Sequence, residues 1–203
     1  MIGMDRNNQH HIFTIVFPEK PTVKQIRLKG YAGLYKRIDI LARAFIIIEQ
    51  YAMLQKGIQL IVHGVFPEND EIITVIEYRP TSTIRREKQA VLEILKAFRG
   101  KETSLVIREE PVDKYLHGLS KYYDLVYLSE KGKPIKGYFG KEKTVYVLGA
   151  HKDPPAMFRE ALKRYKHSEV SIGPYNYLAT HVIAYILWRS QSSILLDKGQ
   201  ELL

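Results

Sequence analysis

Two rhythms of apolar residues run through the chain. Short, nearly continuous apolar runs predict buried strands: "IFTIVF" (Ile12–Phe17), "IQLIVHGVF" (Ile58–Phe66), "IITVIEY" (Ile72–Tyr78), "SLVIRE", "DLVYLSE", "TVYVLGA" and "EVSI". Stretches of helical spacing lie among them. Ile38, Leu41, Ala42, Phe45, Ile48 and Ala52 share one helical face, and Gly57 is a natural stop. "STIRREKQAVLEILKAFRG" is the clearest amphipathic helix: Val91, Leu92, Ile94, Leu95 and Phe98 form its apolar face, Ser82 or Thr83 caps its start, and Gly100 ends it. "PVDKYLHGLSKY" and "PPAMFREALKRY" are helices opened by proline, and "YNYLATHVIAYILWRS" is the last helix. "KGKPIKGYFGKEK" reads as a loop rich in glycine and lysine.

Strands that alternate with helices predict an α/β domain with a largely parallel sheet covered on both faces. Ligands in such sheets sit at the carboxyl ends of the strands, so the strand-to-helix turns are the places to search. Three of them stand out: "VYLSEKG" (Val126–Gly132), "YVLGAHKDPP" (Tyr146–Pro155) and "VSIGPYNY" (Val170–Tyr177). Gly149 and Gly173 carry no side chain, which lets a ligand approach the main chain. Pro174 suits the first turn of a helix, whose free N–H groups then face the ligand. Together the turns suit a flat heterocycle read by backbone groups. Neither GxxxxGK[ST] nor GxGxxG occurs, which argues against a P-loop or a dinucleotide-binding unit.

Composition narrows the partners. A chain of 203 residues, 45% hydrophobic and without a linker-like stretch, suits one domain spanning residues 1–203. No run of about 18 apolar residues suggests a membrane span. The opening "MIGMDRNNQHH" lacks the apolar core of a signal peptide, so the expected compartment is the cytoplasm. With no cysteine, thiol catalysis, thiolate zinc sites and Fe–S clusters are excluded. The histidines form no HExxH or similar ligand pattern, so no metal is expected, and GxSxG is absent. His181 shares a face with Tyr177 and Tyr185 and is read as a structural histidine of an apolar helix. Lys+Arg 31 against Asp+Glu 22 leaves a net charge of +9, which favours a polyanionic partner: RNA, DNA or an anionic membrane.

"VYVLGAHKDPP" followed by "VSIGPYNYLATHVIAYI" resembles the C-terminal half of SPOUT-class RNA methyltransferases. "GYAGLYKRIDILARAF" is similar to the Gly-x-Ala-Gly…Arg-x-Asp-x-Leu-x-Arg segment of archaeal TrmY-type tRNA pseudouridine N1-methyltransferases. The resemblance runs from about Gly30 to Trp188. It implies a SPOUT-type α/β fold with a C-terminal trefoil knot, a homodimer, and S-adenosylmethionine bound where the three turns meet. Leu128, Ser129, Leu148, Gly149, Ser171, Ile172, Gly173, Tyr177 and Leu178 would then line the cofactor. The implied reaction is methylation of N1 of a pseudouridine in the tRNA T-loop. Two departures stand out: Ala150 where the family often has an acidic residue, and an extra "LY" before Arg37. The related Nep1-type ribosomal enzymes share the knot and a similar "S-I" turn. The match at Arg37–Arg43 favours the TrmY type.

Pseudouridine has an N1–H that must be lost as the methyl group arrives, and a carboxylate within hydrogen-bond reach can accept or orient that proton. Asp39 is the candidate, with Arg37 contacting a phosphate or base carbonyl and Arg43, one helical turn on, orienting the carboxylate. RNA contacts are expected from Arg85 and Arg86, from the loop lysines Lys131, Lys133, Lys136, Lys141 and Lys143 with Tyr138 and Phe139, and from Lys163, Arg164, Lys166 and His167. Two alternatives stay open at this point. One is a SPOUT enzyme acting on rRNA or a ribose 2′-hydroxyl, and the other is a basic RNA-binding module without chemistry.

Overall fold

Phe13 and Ile15 face one side of the first strand, with Phe17 just beyond it, and Ile12 and Val16 face the other; all five are buried. A strand apolar on both faces must lie inside a sheet covered on both sides, and the computed structural model puts it there. The structure describes residues 9–21, 37–54, 58–135, 142–173 and 177–199, with side chains described as far as residue 190. Its strands are β1 (Gln9–Val16), β2 (Ile58–Pro67), β3 (Ile72–Tyr78), β4 (Val106–Pro111), β5 (Asp124–Pro134), β6 (Lys143–Gly149) and β7 (His167–Ser171). The helices are α1 (Ile38–Leu54), α2 (Glu87–Phe98), α3 (Val112–Ser120), α4 (Ala156–Leu162) and α5 (Ala179–Gly199).

The strands form a seven-stranded sheet in the order β4-β3-β2-β1-β6-β5-β7. From β2 through β7 every neighbour is parallel, and β3 and β4 add an antiparallel edge. The largely parallel α/β architecture expected from the alternation is therefore present. On one face, α1, α2 and α5 pack through Leu41, Phe45, Ile48, Ile94, Ile183 and their neighbours; on the other, α3 and α4 pack through Tyr115, Leu116 and Phe158.

Three local expectations need correction. The second helix starts at Glu87, not after Ser82 or Thr83. Ser82 has a left-handed φ of 62° and donates its N–H to the buried Glu49 carboxylate, as Thr81 does, so these residues form a turn. The orphan N–H groups of Arg85 and Arg86 are met instead by the Gln89 side chain, each at 3.0 Å. The run starting at Lys131, read as loop, continues β5: after a break at Leu128 the ladder resumes at Lys133–Val170 and Pro134–Ser171. A Cβ on Gly132 would lie 2.4 Å from the Val170 carbonyl carbon, and only glycine lets the two backbones come this close. The last helix begins at Ala179, and Leu178 accepts its first hydrogen bonds from His181 and Val182, so the chain does not enter the helix directly after "GP". Pro174 itself, Gly30–Lys36 including the "LY" insertion, Gly57, Lys136, Tyr138, Phe139 and Lys141 lie outside the described residues.

Candidate active site

β6, β5 and β7 are adjacent and parallel, so their carboxyl ends share one edge of the sheet. A cavity of about 640 Å³ opens there. Leu128 and Ser129 line it from β5, Leu148 and Gly149 from β6, and Ser171, Ile172, Gly173, Tyr177 and Leu178 from β7 and the segment after it. The structure thus gathers around one space every residue that the resemblance pointed to for the cofactor. It adds Glu130, Ala150, His151, Lys152, Asp153, Val170 and Val182, none of which the sequence assigned to the cofactor.

The glycines and serines of these turns act differently from the local reading. A Cβ on Gly149 would lie 2.0 Å from the Lys152 carbonyl oxygen, so the glycine admits its own loop rather than a ligand. At Gly173 the space is filled by Tyr177, whose hydroxyl lies 2.7 Å from where a Cβ would sit. Ser171 Oγ donates to the Gly173 carbonyl at 2.8 Å and accepts from the Gly173 N–H at 3.1 Å; Ser129 Oγ accepts from the Lys131 N–H at 3.2 Å. Both hydroxyls lock their own turns, as serine does when it competes with regular secondary structure.

Ala150 is buried, and its N–H donates to the Val16 carbonyl at 3.0 Å, which pins this loop to the end of β1. Beside it stands the first turn of α1. Arg37 makes a two-pronged contact with Asp39, Nε to Oδ1 at 3.0 Å and Nη2 to Oδ2 at 3.1 Å. Arg43 stands 3.8 Å from Asp39 and bonds Glu87 at 3.2 Å. Asp39 is only 2% exposed and both its oxygens already accept from Arg37, which favours an orienting part over a free proton acceptor. Arg37 is itself in the left-handed region, at φ 58°, uncommon for a residue other than glycine. His151 joins the two regions: it lines the cavity, and it feels the charges of both Arg37 and Asp39. Burial, then Arg37 and Lys152, hold its imidazole below the usual range, against the opposing pull of Asp39 and Glu19.

The sequence profile of the family described as "Putative SAM-dependent RNA methyltransferase" matches residues 11–191. The chain belongs to that family. This methyltransferase is 26% identical over 181 residues to the tRNA (pseudouridine(54)-N(1))-methyltransferase of Aeropyrum pernix, covering 86% of this chain and 91% of that protein. It is 27% identical over 197 residues to the protein of the same name from Thermococcus onnurineus, covering 86% and 93%. Its fold is similar to that of Archaeoglobus fulgidus Nep1 bound to S-adenosylhomocysteine, with a TM-score of 0.58 at 15% identity, over 91% of this chain and 98% of that one.

As a member of this family the methyltransferase uses S-adenosylmethionine, and the cavity fits that group. Its volume is in the range of small-molecule sites. Leu128, Leu148, Ile172, Leu178 and Val182 offer apolar cover for a flat ring, and Glu130 and Asp153 bring carboxylates to a ligand that carries a sulfonium and an ammonium.

Elsewhere the predicted sites fare unevenly. Arg85, Arg86, Lys131 and Lys133 are exposed. Lys163 and Arg164 are engaged in ion pairs with Glu160 and Asp113. His181 is exposed rather than packed in the core. His151 and Asp153 were legible in "GAHKDPP" as titratable residues just past a strand, but that reading followed the glycine alone.

Proposed function

We propose that this chain methylates N1 of a pseudouridine in the tRNA T-loop, at nucleotide 54 as in the names of its relatives. The observation that carries the reading is a cofactor-sized cavity at one edge of the sheet, with a wall residue, His151, that feels the charges of the Arg37–Asp39 pair. When bound, S-adenosylmethionine supplies an electrophilic methyl group. Leu128, Ser129, Leu148, Gly149, Ser171, Ile172, Gly173, Tyr177 and Leu178 hold it through main-chain groups and apolar cover. Arg37, fixed by Asp39, contacts a phosphate or base carbonyl of the substrate and brings the base to the cavity. The exposed Arg85, Arg86, Lys131 and Lys133 bind phosphates in a salt-dependent manner.

The further parts of the reading follow from the resemblance. The chain acts as one domain in the cytoplasm, where tRNA is modified. Its C-terminal part is threaded as a trefoil knot, as the resemblance implies. It works as a homodimer, as the resemblance implies. Mass spectrometry of tRNA treated with the protein and S-adenosylmethionine tests the function. A methyl group on the pseudouridine base is expected; one found on a ribose, on rRNA alone, or nowhere refutes it.

A further inference from the structure

We propose that His151 is the group that takes the N1 proton of the substrate base. The inference rests on the reaction proposed above and names a residue for its proton step.

Of the groups at the cavity that can accept a proton, Glu130 and Asp153 are assigned above to the sulfonium and ammonium of the methyl donor. Asp39 is buried, with both oxygens occupied by Arg37. His151 is exposed and lines the cavity one residue beyond Ala150, whose N–H holds the loop to β1. It therefore lies between the space that fits the methyl donor and the arginine that meets the substrate. The charged groups facing it are Asp39 from α1 and Arg37 just before that helix, Lys152 from its own loop, and Glu19 from the segment after β1. Partial desolvation and the two cations lower its pKa and so favour the neutral ring, in which one nitrogen can accept a proton.

The step balances. As the bond from N1 to the methyl carbon forms and the methyl–sulfur bond breaks, the N1 proton passes to the unprotonated nitrogen of His151. The imidazolium then releases it to solvent. The positive charge that leaves sulfur thus departs as a proton, and no oxidant or reductant is needed.

Single-turnover methylation of a T-loop RNA, measured from about pH 5 to 8, separates the outcomes. His151→Gln is expected to bind S-adenosylhomocysteine and RNA as the wild type does and to transfer the methyl about 100-fold more slowly. The wild-type rate falls on the acid side, and this limb disappears in the variant. Imidazole added to His151→Ala restores part of the rate. NMR titration adds a reading independent of turnover: the His151 ring, identified by its absence in His151→Gln, titrates below 6.5 and moves up in Arg37→Ala. A His151→Gln rate within about twofold of wild type, with its acid limb intact, overturns the proposal while the function stands. A wild-type protein that leaves pseudouridine N1 unmethylated overturns the function and the proton step together.

Discussion

Gly149→Ala is the sharpest perturbation the structure offers. The new methyl group would lie 2.0 Å from the Lys152 carbonyl oxygen, 2.9 Å from the Lys152 carbonyl carbon and 3.2 Å from the Asp153 Cα. All three are main-chain atoms, so no side chain can swing aside. Restoring ordinary contact moves the loop by about 1 Å, and overpacking of this kind costs about 1–3 kcal/mol. The loop carries His151 and Asp153 and walls the cavity. A displacement of about 1 Å at such a site can cost about 100-fold in rate. Gly118→Ala is the internal control: it lies within α3, with nothing within 4 Å of the added carbon, and should stabilise by about 1 kcal/mol. Urea unfolding and calorimetric titration with S-adenosylhomocysteine read both effects. Gly149→Ala should lower stability and weaken binding at least about tenfold, the equivalent of about 1.4 kcal/mol. Unchanged stability and affinity in Gly149→Ala would refute the packed-loop account.

The remaining predictions concern buried polar groups and the arginine pair. His11 is fully buried, neither ring nitrogen has a hydrogen-bond partner among the described residues, and burial pushes its pKa from 6.5 down to about 4. Below pH 6.5 the unfolded chain takes up a proton that the folded one refuses until about pH 4, so stability should fall by about 3 kcal/mol across that window; His11→Leu should flatten this acid limb in urea unfolding at successive pH values. Glu49 accepts from the Thr81 N–H at 2.8 Å, the Ser82 N–H at 3.0 Å and the Tyr78 hydroxyl, so Glu49→Ala should cost about 3 kcal/mol or more; a loss below about 1 kcal/mol would mean that the turn before α2 does not depend on this carboxylate. Asp39→Asn and Arg37→Ala should leave S-adenosylhomocysteine affinity nearly intact and lower turnover at least about tenfold, and unchanged turnover in both would remove the pair from the reaction.

Much of the fold was legible because its strands are short apolar runs with a period that survives tertiary context. β3 was readable to the residue, and β2 to within one residue at its end. Failures fell where a distant residue decides local structure. Ser82 satisfies every local criterion for a helix cap, yet Glu49, 33 residues away, draws its N–H into a turn and moves the helix start to Glu87. Lys131 and Lys133 look like loop residues, yet the second stretch of pairing with Val170 and Ser171 makes them strand. No window of sequence contains either partner.

The glycines carry the same lesson into the site. From the sequence, Gly149 and Gly173 were places where a ligand could reach the main chain; in the structure their space is taken by Lys152 and by Tyr177. The predicted lining residues still gather around one cavity because topology sets β6, β5 and β7 side by side and parallel, whichever atoms fill the gaps. The chemistry shifts because it depends on what fills them. Folding the Gly149 loop back on itself brings His151, Lys152 and Asp153 to the cavity wall. At Gly149 and Gly173 the room a side chain would need is therefore taken by the chain itself. At Gly149 this compression brings the charged and titratable residues just beyond β6 to the place where the ligand will be.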